Sequence, residues 1–255
     1  MFDFSHALLR APARSVVNGL RAGDHAGPAY DDVAAEHAAY ADALRTLGLA
    51  VDVLPPLEAF PDSVFVEDPA LAFGDGAILL RPGAPSRAGE VAEIAPALAE
   101  RFPRVLSLAG GVADGGDVLA TPDAVLIGLS ARTDATGAAA LAAALAELGR
   151  PARIVDTPAG VLHFKTACGL IDEETVAVTR ALDDASIFGR LRRIVIPDEE
   201  AAAANLLRIR GHVLVGAAYP RTRELIEALG IPTIALPVAA IARIDAGLSC
   251  MSLRW

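Results

Sequence analysis

Short apolar segments, separated by turns and single helices, recur along the chain. Residues 115–149 are predicted to form a strand, a tight turn, a second strand, a loop and an alanine-rich helix from about Ala135 to Leu148. Residues 205–230 repeat that order, including an arginine–threonine pair just before the helix. The pattern therefore predicts a ββα unit that is followed by one further strand.

Three further copies of this unit fit the same template. Residues 63–83 and 163–182 each contain two apolar segments joined by a short turn. A fifth copy joins residues 247–255 to residues 3–12, because each of these segments supplies one strand and lacks a partner of its own. We therefore predict one α/β domain, 1–255, built as a ring of about five repeats and closed by both ends of the chain. Chance similarity between the segments is the alternative.

Each unit carries one polar residue near the start of its first strand. These residues are Asp68, Asp114, His163, Asn205 and Cys250, spaced 42 to 49 positions apart. If the units surround an axis, the five side chains converge there. A thiol, an imidazole and two carboxylates together provide a nucleophile, a general acid or base, and acceptors for a cation.

Taken singly, these residues have ordinary structural interpretations. A lone cysteine is usually a small buried hydrophobe, and this is our prediction for Cys168, which lies in an apolar strand. A lone histidine is more often a core or surface residue, and the DGGD segment at 114–117 could be a simple glycine turn. For each residue taken alone, the structural interpretation prevails.

Composition excludes several classes of function. The net charge of −10 argues against a nucleic-acid partner, which requires a concentrated basic face. The two cysteines form no C-x-x-C pair, so we predict neither a disulfide framework nor a structural zinc site. No apolar run is long enough to span a membrane, and the N-terminal segment lacks the pattern of a signal peptide. We therefore expect a cytoplasmic protein with no membrane partner.

Seven motifs occur in an order that resembles the bacterial dimethylarginine dimethylaminohydrolases of the guanidine-modifying, or pentein, superfamily. The motifs are FPDSVFVEDP, RPGAPSRAGE, DGGD, GLSARTDATG, HFKT, YPRTRE and GLSCMSLRW. The resemblance extends from about Arg10 to Trp255. It implies a five-fold pseudosymmetric α/β propeller, the pentein fold, made of ββαβ-type repeats.

The resemblance also implies a set of site residues. The nucleophile is Cys250, the general acid and base is His163, and the acid that opens the DGGD motif is Asp114, where many relatives have glutamate. The substrate-binding residues that it implies are Asp68 for the guanidinium, Glu67 and Asp62 along the substrate site, Arg87 and Arg132 for the carboxylate, and the main chain of Leu20 and Ile244. Residues 16–27, which contain Leu20, are long enough to form a lid.

The implied activity is hydrolysis of free Nω-methylated L-arginines to L-citrulline and methylamine or dimethylamine. The reaction passes through a covalent thiouronium on Cys250 and requires neither metal nor organic cofactor. An arginine deiminase is one alternative, although such enzymes are typically longer and carry an inserted helical region. A non-catalytic binding protein with the same fold is the other. The expected partner is a small-molecule substrate, and the outer strand faces could support a homodimer.

Overall fold

The computed structural model describes residues 1–23 and 26–255. Within them, the strands are β1 (His6–Arg10), β2 (Ala50–Leu54), β3 (Ala70–Phe73), β4 (Gly76–Leu79), β5 (Val105–Ser107), β6 (Val118–Ala120), β7 (Val125–Leu129), β8 (Ala152–Asp156), β9 (Cys168–Leu170), β10 (Thr175–Val178), β11 (Arg192–Val195), β12 (Leu207–Ile209), β13 (His212–Gly216), β14 (Thr233–Leu236) and β15 (Leu253–Arg254). The helices are α1 (Tyr30–Thr46), α2 (Glu90–Arg101), α3 (Ala135–Glu147), α4 (Ala185–Phe188) and α5 (Pro220–Glu227). None of these helices is long and apolar enough to cross a membrane.

The strands form five sheets of three strands with a common topology. The sheets are β15-β1-β2, β3-β4-β5, β6-β7-β8, β9-β10-β11 and β12-β13-β14. In each sheet the first pair is antiparallel and the second pair is parallel. A parallel neighbour requires a crossover, and one of the five helices provides it each time. The predicted ββα unit with a further strand is therefore confirmed in all five sheets.

The fifth sheet joins the two ends of the chain, as predicted. Strand β15 pairs antiparallel with β1, with Ala7 opposite Arg254 and Leu8 opposite Leu253. The ring of Trp255 stacks on His6 and meets Phe102 edge to face. The ordered C-terminal tail is thus the closing contact of the ring.

The C-terminal tail differs from the prediction in one respect. Only Leu253–Arg254 form a strand, whereas Leu248–Met251 form a 3-10 helix that contains Cys250. The other polar residues of the set also precede their strands, for example Asp114 before the 3-10 turn Gly115–Asp117. A turn rather than a strand holds each of them, so their side chains are not committed to a sheet face.

The first strands of the five units are the innermost ones. Residues of β3, β6, β9, β12 and β15 line a central cavity of about 590 Å³. Each polar residue of the set precedes its inner strand. Asp68, His163 and Cys250 line one small cavity, where Asp114 contacts His163 and Asn205 lies next to Cys250. Around the ring, apolar clusters between the sheets and helices form the core.

The alanine-rich helix begins as predicted, at Ala135, and ends one residue early, at Glu147. Its N-cap is Asp134, whose carboxylate accepts a hydrogen bond of 2.6 Å from the Gly137 amide. Ala138, Leu141 and Leu145 are completely buried. The small alanines allow this helix to lie close to its sheet.

Replacing Leu253 by alanine should destabilise the protein, because this side chain is 3% exposed and packs at the closing sheet. We expect the free energy of unfolding in urea to fall by about 2–4 kcal/mol. The matched control is Leu225→Ala in α5, where the side chain is 39% exposed and the change should be within about 0.5 kcal/mol. Equal effects of the two substitutions would contradict ring closure through β15.

Candidate active site

A small cavity of about 30 Å³, room for about one water molecule, lies where the polar residues meet. Its lining consists of Leu20, Asp62, Phe65, Asp68, Arg87, Arg132, Leu162, His163, Ile244, Asp245, Ala246 and Cys250. Eight of the ten residues that the sequence predicts for the site are therefore brought together. The exceptions are Asp114 and Glu67, which do not line this small cavity.

Asp114 is fully buried and contacts the histidine rather than the cavity. Its Oδ2 accepts a hydrogen bond of 2.9 Å from His163 Nε2. Its Oδ1 accepts one of 2.7 Å from the Gly83 amide. The shorter aspartate thus reaches the imidazole, and both of its oxygens are occupied by protein donors.

The second glycine of the DGGD motif allows close packing between two site residues. A Cβ at Gly116 would lie 2.7 Å from His163 Nδ1 and 2.9 Å from Asp68 Oδ1. The Gly116 amide donates to the same Asp68 oxygen at 3.0 Å. This motif is a glycine turn, as the simplest interpretation suggests, but it is a turn that shapes the site.

The imidazole of His163 is surrounded by carboxylates. Burial disfavours its charged form, but Asp68, Asp114 and Asp117 together outweigh this effect and raise the pKa of His163 to about 9. Asp68 makes the largest of the raising contributions. At neutral pH His163 is therefore an imidazolium that can donate a proton.

The two cysteines differ in their surroundings. Burial, assisted by Glu67 and Asp68, raises the pKa of the Cys250 thiol to about 12. The side-chain nitrogen of Asn205, the fourth residue of the set, lies 3.9 Å from its sulfur. Cys168 instead lies in β9, where its thiol donates to the Phe164 carbonyl at 3.4 Å. Cys168 is thus a packed strand residue, whereas Cys250 lines the small cavity with His163 and Asp68.

Arg87 is buried and held on several sides. Its Nη1 pairs with Asp68, while Nε and Nη2 bind the two oxygens of Glu90 at 3.0 and 2.7 Å. Nη2 also donates to the Phe65 carbonyl at 2.9 Å. Although burial opposes the charged carboxylate, Arg87 holds the pKa of Asp68 below its usual value. The sequence analysis missed Glu90, although this residue ends the RPGAPSRAGE motif.

Described residues of the predicted lid segment, residues 16–27, donate hydrogen bonds to the cavity wall. The Leu20 amide donates to Asp62 Oδ1 at 2.9 Å. The Ala22 amide donates to Asp245 Oδ2 at 2.5 Å. Asp245 has a left-handed backbone conformation with φ of 54° directly after Ile244, and the sequence analysis did not identify it. Positions 24 and 25 of this segment lie outside the described residues.

The Glu67 carboxylate, predicted at the substrate site, lines the large central cavity instead. It pairs with Lys165 Nζ at 2.5 Å and with Arg254 at 3.3 Å, and it accepts from Ser249 Oγ at 3.0 Å. Asp68, the next residue in the same turn, lines the small cavity instead.

Three side chains could also hold a cation. One ligand atom each from Asp68, Asp114 and His163 lies within 4.8 Å of the others. Here Arg87 already provides positive charge to Asp68, and His163 provides it to Asp114. The negative charges of these two carboxylates are therefore already compensated by Arg87 and His163.

Asp68→Asn should lower the pKa of His163, because the largest raising charge is removed. The protonated His163 beside these carboxylates adds to the free energy of unfolding. This contribution is fully present below pH 6.5 and is lost as pH rises through about 9. In the variant the loss should begin at lower pH. Titration of the histidine ring protons by NMR tests this, with the exposed Asp123→Asn as control. An unchanged His163 titration would contradict the assigned electrostatics.

Comparisons with known proteins place the chain in a family. Residues 53–202 match the family model described as arginine deiminase. The chain is 39% identical over 254 residues to the N(G),N(G)-dimethylarginine dimethylaminohydrolase of Pseudomonas aeruginosa, covering 99% of this chain and 100% of that protein. It is 34% identical over 252 residues to the protein of that name from Streptomyces coelicolor, covering 97% and 96% respectively.

A solved structure extends this likeness to three dimensions. It is a cysteine-to-serine mutant of the Pseudomonas aeruginosa dimethylarginine dimethylaminohydrolase, complexed with citrulline. The TM-score is 0.95 at 38% identity, with 100% of both chains covered. The predicted five-fold pseudosymmetric α/β propeller is thus confirmed, and the chain belongs to the dimethylarginine dimethylaminohydrolase family.

Proposed function

We propose that the protein hydrolyses free Nω-methylated L-arginines to L-citrulline and methylamine or dimethylamine. The observation that carries this proposal is the convergence of Cys250, His163 and Asp68 on one cavity. A thiol nucleophile, a protonated imidazole and a carboxylate are the groups that displacement at a guanidinium carbon needs. The names of the relatives and the citrulline in one of their structures support the same activity.

Substrate binding prepares the nucleophile. A guanidinium next to Asp68 places a positive charge beside Cys250, and this charge favours the thiolate over the thiol. The carboxylate of Asp68 already binds Arg87 and the Gly116 amide. Each carboxylate oxygen can accept two hydrogen bonds, so Asp68 retains acceptor sites for the substrate.

The first half-reaction transfers the amidine group to sulfur. The Cys250 thiol loses its proton to solvent, and the resulting thiolate adds to the guanidinium carbon and forms a tetrahedral adduct. His163, whose Nε2 is held by Asp114, donates its Nδ1 proton to the methylated nitrogen as the carbon–nitrogen bond breaks. Methylamine or dimethylamine leaves, and an S-alkylthiouronium remains on Cys250.

The second half-reaction restores the thiol. Neutral His163 removes a proton from a water molecule as its oxygen adds to the thiouronium carbon. Collapse of this second adduct breaks the carbon–sulfur bond, and its electron pair leaves with the Cys250 sulfur. The hydroxyl proton passes to that sulfur, and the former oxygen–hydrogen electron pair forms the carbon–oxygen double bond of citrulline.

The amino-acid end of the substrate requires further groups. Arg132 binds its carboxylate together with the one Nη1 proton of Arg87 that is not directed at Asp68, since Nε and Nη2 of Arg87 bind Glu90. Asp62 binds its ammonium group, and the main-chain carbonyls of Leu20 and Ile244 complete the pocket. Leu20 lines the cavity next to Cys250, and we propose that the segment around it opens to admit the substrate, as a lid does.

Arginine itself is the second candidate substrate, because part of the chain matches the arginine deiminase family model. The cytoplasmic location and the homodimer stay predictions, as do the exclusion of nucleic acid and membrane and the absence of a cofactor.

Incubation of the purified, metal-free protein with arginine, monomethylarginine and dimethylarginine tests the proposal. We expect citrulline with methylamine or dimethylamine from the methylated compounds, and slow release of ammonia from arginine. Equal or faster ammonia release from arginine would assign the protein to the deiminases. No citrulline from any compound would favour a binding protein.

Cys250→Ser should fold normally and lose turnover, because a hydroxyl is a far weaker nucleophile at this pH. The matched control is Cys168→Ser, which should lower the unfolding midpoint and retain turnover, since Cys168 is packed in β9. Labelling by a haloacetamidine should disappear only in the Cys250 variant. Substantial activity without Cys250, or labelling that depends on Cys168, would overturn the mechanism.

A further inference from the structure

Asp117, the last residue of the DGGD turn, is completely buried and bound by three donors. Its Oδ1 accepts a hydrogen bond of 2.8 Å from the Phe164 amide. Its Oδ2 accepts hydrogen bonds of 2.7 Å from Ser130 Oγ and from Thr133 Oγ1. Asp117 does not line the small cavity, and no step proposed above uses it.

The donors belong to two segments that carry site residues. Phe164 directly follows His163, and its amide orients the main chain at that point. Ser130 and Thr133 flank Arg132, and the Ser130 oxygen also accepts from the amides of Arg132 at 2.9 Å and Thr133 at 3.2 Å. The Asp117 carboxylate therefore joins the segment that carries His163 to the loop that carries Arg132.

The first residue of the DGGD turn is tied to the same carboxylate through one hydroxyl. Thr133 Oγ1 donates to Asp117 and accepts from the Asp114 amide at 3.1 Å. Asp114 in turn binds the His163 ring. The imidazole is thus oriented twice from Asp117, through its own main chain and through Asp114.

The donor arrangement also determines the charge on Asp117. The oxygens of Ser130 and Thr133 already accept amide protons, so their hydroxyl protons point to the carboxylate. An ionised carboxylate accepts all three bonds, whereas a protonated one would carry a hydroxyl proton for which these three donors provide no acceptor. Burial raises the pKa of Asp117, and the His163 imidazolium and these donors offset part of that effect.

We propose that Asp117 is a positioning residue that aligns His163 for proton transfer and, at the same time, the Arg132 loop for substrate binding. This inference rests on the proposed function, in which His163 exchanges protons and Arg132 binds the carboxylate. Asp117 couples the two ends of the substrate site through a single buried anion.

Asp117→Asn tests the coupling with little change in shape. If the amide oxygen accepts from Phe164, the amide nitrogen faces Ser130 and Thr133, whose hydroxyl protons then lack an acceptor. We expect kcat for dimethylarginine to fall about tenfold or more and KM to rise several-fold. Removal of the negative charge should also move the pH limb that reports His163 to lower pH, because Asp117 raises the pKa of His163.

The matched control is Glu200→Gln. Glu200 is 6% exposed and, like Asp117, accepts three protein hydrogen bonds, from the Arg221 and Thr222 amides and from the Thr222 hydroxyl. These partners lie at the start of α5 and do not line the small cavity. The control should lower the unfolding midpoint while kcat, KM and the pH profile, expressed per labelled Cys250, stay as in the wild type.

Two milder substitutions test the proposal even if Asp117→Asn fails to fold. Ser130→Ala should mainly raise KM, because it frees the Arg132 loop, whereas Thr133→Val should also lower kcat, because it frees Asp114. Wild-type kcat, KM and pH profile in the folded Asp117 variant, or in both milder variants, would overturn the inference. A wild-type protein that releases no methylamine would instead contradict the proposed function.

Discussion

The pairing of β15 with β1 is the contact on which the ring depends. It completes the fifth sheet, and it places the 3-10 helix with Cys250 beside residues from the middle of the chain. The Glu67 amide donates to the Cys250 carbonyl at 3.3 Å, which ties this helix to the second unit. The nucleophile is therefore positioned by the same interaction that closes the fold, and the site and the ring form together.

The second constraint is electrostatic, because the centre of the ring buries many carboxylates. Each buried anion costs free energy unless a cation or several donors compensate it. Arg87 compensates Asp68 and Glu90, and Lys165 compensates Glu67. His163 pairs with Asp114 and is also influenced by the charges of Asp68 and Asp117. The result is an excess of negative charge that keeps His163 protonated and the Cys250 thiol neutral. A cationic substrate fits this environment, because it supplies the missing positive charge.

Much of the fold was predictable because the repeat is local. Two short strands and a helix leave a pattern of apolar positions within about 40 residues, and the strand order follows from the need for a crossover. The closing sheet was also predictable, since both terminal segments lacked a partner. The convergence of Asp68, His163 and Cys250 followed from their equivalent places in the repeat.

The sequence by itself thus determined the ring, its closure and most of the residues at its end, because these depend on periodic, local patterns. Only the tertiary structure decided which way each side chain faces: Glu67 turns to the central cavity, Asp114 lies behind His163, and Arg87 pairs with Asp68. Glu90 and Asp117 were not identified because their roles arise from partners far away in the chain or across a turn. Such contacts depend on the exact packing of separate units, and no pattern of residue types within one segment records it.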